Sequence, residues 1–133
     1  MEEKIIYEYC TLRYVADVER EEFVNVGLMM MSKRYRWMRC SLHTDAERIA
    51  ALSPKANLGR LKAQLGVFTR TDVPAPGLTV EERYRWMAAV KSAIIQTSPS
   101  HPGLIPVREG ISRNEATEEL DRKFEELFRR LVL

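Results

Sequence analysis

The feature that most constrains this chain is a pair of long β-type runs separated by only six residues. "KIIYEYCTLRYV" (Lys4–Val15) is rich in β-branched and aromatic residues and holds no Gly or Pro, which predicts a strand. "EFVNVGLMMMS" (Glu22–Ser32) predicts a second, and the charged junction "DVEREE" (Asp17–Glu22), whose last residue opens that run, is too short for anything except a turn-back. "YRWMRCSL" (Tyr35–Leu42) follows after "SKR" as a third. Connections this short give an antiparallel meander. "SAIIQT" (Ser92–Thr97) is a candidate fourth strand.

Helical signals begin only after the third strand. "TDAE" (Thr44–Glu47), "TVEE" (Thr79–Glu82) and "SRNE" (Ser112–Glu115) fit the S/T-x-x-E pattern, in which hydroxyl and carboxylate satisfy unpaired backbone donors. Behind them lie apolar residues at helical spacing: Ile49 and Leu52; then Val80, Tyr84 and Met87, continuing to Lys91; then Ala116, Leu120, Phe124, Leu127, Phe128 and Leu131. A further stripe is Leu58, Leu61, Leu65 and Phe68. "TRTDVPAPGL" (Thr69–Leu78) and "SPSHPGLIPVREGI" (Ser98–Ile111) read as irregular connections. Strands followed by segregated helices predict an α+β fold: an antiparallel sheet of three to four strands with about four helices packed mainly on one face. At 133 residues a single domain over the whole chain is expected.

Strand alternation sorts side chains into two expected faces. Ile6, Cys10, Leu12 and Tyr14, with Val24, Val26, Leu28 and Met30 and with Met38, Cys40 and Leu42, form the face expected under the helices. The opposite face collects Tyr7, Tyr9, Thr11 and Arg13, then Phe23, Asn25, Gly27, Met29 and Met31, then Trp37, Arg39 and Ser41. Two readings stand for it. Gly27 lets a cross-strand Tyr lie flat over the backbone while Asn25 bonds to Thr11 or a loop. Or this face, through Tyr7, Tyr9, Trp37 and Arg39, meets a partner. In the loop, Glu19 and Glu21 are expected to be solvated. Arg20 and Glu22, with Arg13 and Asn25, either pin the hairpin or hold an anionic ligand, since paired arginines fork around carboxylate or phosphate.

Other chemistry is narrowed by elimination. The net charge of +2 is too small to imply a nucleic-acid or membrane partner by itself. Two cysteines, Cys10 and Cys40, lack metal or redox spacing and are expected in the core, which fits a reducing cytoplasm. No bilayer-length apolar run and no signal-like start is found, so a cytoplasmic location without membrane contact is expected. His43 and His101 are the only histidines, so no metal and no cofactor is expected. Neither GxGxxG nor GxxxxGK[ST] occurs. His101, in a loop stiffened by Pro99 and Pro102 beside Ser98, is the one candidate acid–base group. "SKRYRWMR" (Ser32–Arg39) and "RYRWMAAVK" (Arg83–Lys91) interleave basic and aromatic residues, the composition of a single-strand nucleic-acid platform.

"YCTLRYVADVEREEFVNVGLMM" resembles the N-terminal signature of a bacterial family, domain of unknown function 3037. Arg13, Glu19, Arg20, Glu22, Phe23, Asn25, Val26 and Gly27 match that pattern, and Glu21 stands where a Gly is common, so a less tight turn is expected. "RYRWMAAVKSAIIQTSPSHPGL" is similar to its second motif through Arg85, Trp86, Ser92, Gln96, Ser98, Pro99, His101 and Gly103, and "ATEELDRKFEELFRRLV" to its tail helix. The resemblance implies no defined activity. It implies a protein partner rather than an isolated enzyme, since members often sit beside genes for kinase-like proteins related to the HipA toxin kinases. The leading expectation is an accessory, protein-binding domain without catalysis. The alternatives are a small enzyme or anion-binding module using Arg13, Arg20, Glu22, Asn25 and His101, with Gly27 and Ser98 as further candidate binding residues, and a single-strand nucleic-acid binder.

Overall fold

A computed structural model of the chain describes residues 2–89 and 92–133. Its elements run β1 (Glu2–Asp17), β2 (Glu22–Ser32), β3 (Trp37–Leu42), α1 (Ala46–Leu52), α2 (Leu58–Leu65), a 3-10 turn (Gly66–Thr69), α3 (Val80–Met87), β4 (Ile95–Thr97), β5 (His101–Arg108) and α4 (Arg113–Leu131). The fold is α+β, and its antiparallel sheet has five strands rather than three or four. The order is β3-β2-β1, with β4 and β5 sharing the far edge of β1. The Lys91 end of the expected α3 stripe lies outside the described residues.

β5 occupies a segment whose Pro102, Gly103 and Pro106 predict irregular chain. Proline is tolerated because β5 is an edge strand, and the two prolines are four residues apart, so their missing donors point the same way. Gly103 pairs with Tyr7, whose ring lies flat over it: a Cβ on Gly103 would sit 2.2 Å from Tyr7 Cζ. The glycine under a tyrosine is thus Gly103. Gly27 makes room for something else, with a Cβ there meeting Leu12 Cδ1, Leu42 Cδ2 and the Ser41 carbonyl, each at 3.0 Å.

Both faces of the sheet are covered, which corrects the one-face expectation. Cys10, Leu12, Tyr14, Val26, Met29 and Met31 pack with Ile49 of α1, Leu61 and Leu65 of α2, Phe68, and Tyr84 and Met87 of α3. Ile5, Tyr7, Leu28 and Met30 pack on the other side with Ala116, Leu120, Phe124 and Leu127 of α4. The residue sets differ from the expected ones because β2 carries a bulge. Leu12 pairs with Gly27 and Arg13 with Asn25, leaving Val26 as the extra residue. Val24 and Val26 therefore share a face with Met29 and Met31, and Leu28 and Met30 go to the α4 side. Gly27 leaves the Asn25 face for the same reason. Ile6, expected in the core, is 65% exposed.

The helix starts are set by local chemistry. Thr79 and Glu82 form a reciprocal capping box, and Ser112 caps α4 through the Glu115 N–H. At α1 the cap is Asp45, one residue beyond Thr44, accepting from the Glu47 and Arg48 amides. Glu21 itself holds the left-handed backbone (φ 56) that the hairpin needs, and Arg36 does so (φ 49) in the β2–β3 turn.

Two glycine substitutions give opposite outcomes in urea denaturation. Gly103→Ala drives a methyl into the Tyr7 ring and is expected to cost about 1–3 kcal/mol. Gly66→Ala, at φ −56 with nothing within 4 Å, is expected to stabilise by about 0.4–1 kcal/mol. Glu21→Gly relieves a left-handed side-chain-bearing residue and is expected to raise stability by up to about 1 kcal/mol.

Candidate functional site

A lone carboxylate on an apolar strand face demands a partner, and Glu8, in line with Cys10, Leu12 and Tyr14, is such a group. Arg85 of α3 answers with a bidentate contact, Nη1 donating to Oε1 at 2.8 Å and Nη2 to Oε2. Ser100 Oγ donates to the same Oε1 at 3.0 Å and lies 2.7 Å from the Tyr84 hydroxyl. An ionised carboxylate only accepts, so the Ser100 proton goes to Glu8 and Tyr84 must donate to Ser100. Cys10 of β1 lies in the same buried cluster as Tyr84. The result is a directed chain, Tyr84 to Ser100 to Glu8, ending at the Arg85 guanidinium. It joins β1, α3 and the β4–β5 connection.

The chain's electrostatics favour fixed protonation states. Arg85, chiefly by hydrogen bonding, holds the Glu8 carboxyl below the usual range. Burial pushes the Tyr84 hydroxyl up and the Cys10 thiol up to about 11. Cys40, half-buried on β3, is pushed up to about 12 mainly by desolvation. At neutral pH both sulfurs are thiols, poor nucleophiles and poor metal ligands. Among the described residues no group of three His, Cys, Asp or Glu is placed to hold a metal ion, and no helix is long and apolar enough to cross a membrane.

The sequence-predicted residues fall into separate places. Arg13 and Asn25 are cross-strand partners. Asn25 Nδ2 donates to the Leu131 carbonyl at 2.8 Å, tying β2 to the last turn of α4, while Arg13 stacks over Phe23 at 4.2 Å. Arg48 of α1 adds bonds to the Val132 and Leu133 carbonyls. Arg20 and Glu22 form an ion pair at 2.6 Å in the hairpin, with the Arg20 side chain 75% exposed. Glu22 pairs with Asp17, so it lies roughly 13 Å along β1 from Arg13 at about 3.3 Å per residue. The two arginines therefore do not make one fork.

Ser98 Oγ accepts the Thr11 N–H at 2.9 Å and donates to the Pro99 carbonyl at 3.0 Å. It is committed to backbone and is not poised beside a base. His101 is exposed, its ring 5.3 Å from that of Tyr9, with which it pairs. Tyr9 and Arg13 are roughly 13 Å apart on β1, and His101 and Asn25 flank opposite edges of that strand. The two motifs do not meet. The Tyr7, Tyr9, Trp37 and Arg39 face is the seat of α4: Tyr7 is buried, Tyr9 and Trp37 pack against the same cluster, and Arg39 lies over the Phe124 ring and pairs with Asp121 and Glu125. Gly27 is buried on the other face.

Open surface is found between the β2–β3 turn and the start of α3. Two adjoining hollows of about 680 and 550 Å³ share Lys33, Arg36 and Glu81. One is bounded further by the turn and first residues of α3, Gly77 to Glu82, and the other by Ile6, Glu8 and Arg34. Lys33, Arg34 and Arg36 were visible in the sequence only as part of a basic run. The groove they line depends on where α3 begins.

The Glu8 chain predicts an acid-sensitive link. The folded pKa of Glu8 lies below its unfolded value, so its stabilisation is complete above about pH 4.5 and is lost as pH falls through the folded value. Glu8→Gln is expected to cost on the order of 1 kcal/mol at pH 7, and its deficit against the unsubstituted chain shrinks in urea titrations at pH 3. Both thiols are expected to resist aromatic disulfide reagents at pH 8 until urea unfolds the chain. Rapid labelling of Cys10 in the native state would contradict its burial between the sheet and α3.

No curated protein and no solved structure matches the chain. A family model described as "Protein of unknown function (DUF3037)" matches residues 9–132. The chain belongs to that family, with the match taking in every element from within β1 to the end of α4.

Proposed function

We propose that the chain is a protein-binding, accessory domain without catalysis of its own. The observation that carries this reading is the pair Ile6 and Leu104, neighbours across the β1–β5 ladder and 65% and 53% exposed. Side chains of this type placed together and left in water mark contact surfaces more often than isolated ones do. The polar groups that a reaction would call on are meanwhile engaged in holding elements together: Ser98 on backbone, Ser100 and Tyr84 on Glu8, Asn25 on α4.

Single-strand nucleic-acid binding finds less support in the same residues. Tyr35 and Trp37 pack against the α4 cluster, and Arg39 is engaged by α4 carboxylates. Bases would lack the aromatic platforms on which such binding relies.

The test is the state of the chain recovered from its own cells under gentle conditions. Size-exclusion chromatography with light scattering is expected to show a heteromeric complex, and Ile6→Glu with Leu104→Glu is expected to release the 15.4 kDa chain. A kinase-like partner, which the family resemblance implies, is the first to look for. A chain that elutes alone at its monomer mass with Ile6 and Leu104 intact would defeat the proposal.

A further inference from the structure

We infer that the groove between the β2–β3 turn and the start of α3 takes an acidic segment of a partner protein, carrying an apolar side chain that seats on Ile6. This rests on the protein-binding reading and adds to it a place and a chemistry.

The charge around the groove is unbalanced. Five charged side chains line the hollow beside Ile6, Glu8, Lys33, Arg34, Arg36 and Glu81, while Glu82 of the adjoining hollow is engaged by the Thr79 N–H. Glu8 is neutralised by Arg85, and Lys33 pairs with Glu81 at 3.5 Å. Arg34 is over the Tyr35 ring at 5.5 Å, and neither it nor Arg36 has a carboxylate partner among the described residues. Two guanidinium groups thus face water beside an exposed isoleucine. Guanidinium is weakly hydrated and offers a planar set of donors matched to carboxylate. A flanking pair of Glu or Asp residues would complete it.

The neighbouring features narrow the occupant. The α3 amino terminus, which would otherwise attract an anion itself, is closed by the Thr79–Glu82 capping box and carries Glu81. The anion is therefore recruited by the turn. That turn keeps Arg36 at φ 49, a backbone that a glycine would adopt without strain. The apolar side of the contact is Ile6 with Leu104 beside it on the ladder. A free small anion would use the cations and ignore the isoleucine, and an apolar surface would do the reverse. An acidic–apolar segment uses both.

The experiment uses a fluorescein-labelled peptide of alternating glutamate and leucine, with lysine–leucine and glutamate–serine peptides as comparisons. Binding is followed by anisotropy and mapped by amide NMR on the full chain. The glutamate–leucine peptide is expected to bind most tightly, to weaken at least tenfold on raising salt from 50 to 500 mM, and to shift amides of Ile6, residues 33–36 and residues 77–82. Arg34→Glu with Arg36→Glu, both on exposed turn positions, is expected to abolish binding without changing the melting temperature. Equal binding of the lysine–leucine or glutamate–serine peptide overturns the inference, as do shifts confined to other surfaces. Self-association through Ile6 and Leu104 overturns it in favour of a second copy. If the complex recovered from cells survives the double arginine reversal, the groove assignment falls while the protein-binding reading stands. Loss of that complex only with Ile6→Glu and Leu104→Glu leads to the same conclusion.

Discussion

Everything else in this molecule is hung on β1, a 16-residue strand that pairs with β2 on one edge and with β5 and β4 on the other. On one side β2 runs from Glu8 to Asp17 of β1. On the other, β5 covers Glu2 to Tyr9 and β4 covers Leu12 to Tyr14. The two ladders are both irregular at the same level. On the β2 side one step of β1, Leu12 to Arg13, faces two steps, Gly27 to Asn25. On the other side Thr11 meets Ser98 and Tyr9 meets His101, so two steps face three. Each irregularity leaves a backbone group without its ladder partner, and each is satisfied from nearby: the Ser98 side chain, through Oγ, takes the Thr11 N–H, and the main-chain N–H of His43 donates to the Val26 carbonyl.

The two bulges explain how helices come to cover both faces. The extra residue in β2 moves Val26 and Val24 to the side of α1, α2 and α3, and releases Leu28 and Met30 to α4. Full burial of a Leu or Phe side chain stabilises by roughly 1.5–3 kcal/mol, and α4 commits Leu120, Phe124 and Leu127 to its face. Asn25, just past the bulge, then reaches the Leu131 carbonyl, which a residue in unbroken register would not be placed to do. The opposite bulge presents Ser100 to Tyr84 and Glu8. The residues that carry the family resemblance, Asn25-Val26-Gly27 and Ser98 to Gly103, are accounted for by these two repairs together with Gly103 beneath Tyr7.

Much of the fold was legible because it is written in local patterns. β1, β2 and β3, the caps at Thr79 and Ser112, and the α4 stripe all follow from alternation, helical spacing and hydroxyl–carboxylate pairs. β5 was hidden because Pro102 and Pro106 erase the strand signal, and only an edge position makes them harmless. The face assignments of Leu28, Met30 and Gly27 failed because alternation assumes an unbroken ladder, and a bulge changes parity at every residue beyond it. The site was less legible. Glu8 was detectable as a charge on an apolar face, yet Arg85, Tyr84 and Ser100 come from segments separated from it by up to 92 positions. The Lys33, Arg34 and Arg36 groove had no sequence signal apart from basicity.

Where charge is engaged and where it is free follows from the same geometry. Arg39 and Arg85 extend from opposite sides of the sheet to carboxylates on packed elements, α4 and β1 respectively, and their heads are fixed by shape as well as by charge. Arg34 and Arg36 sit on a turn that α3 and α4 touch elsewhere, Glu81 at Lys33 and Arg113 at the Tyr35 carbonyl, and neither arginine has a carboxylate partner among the described residues. The carboxylate that α3 brings to this turn, Glu81, pairs with Lys33, and the exposed Ile6, with Leu104 as its neighbour on the ladder, borders the same groove. An open groove with cations at its rim and aliphatic side chains at its border is incomplete in both respects at once. A single acidic, apolar segment laid along it is the simplest addition that satisfies both.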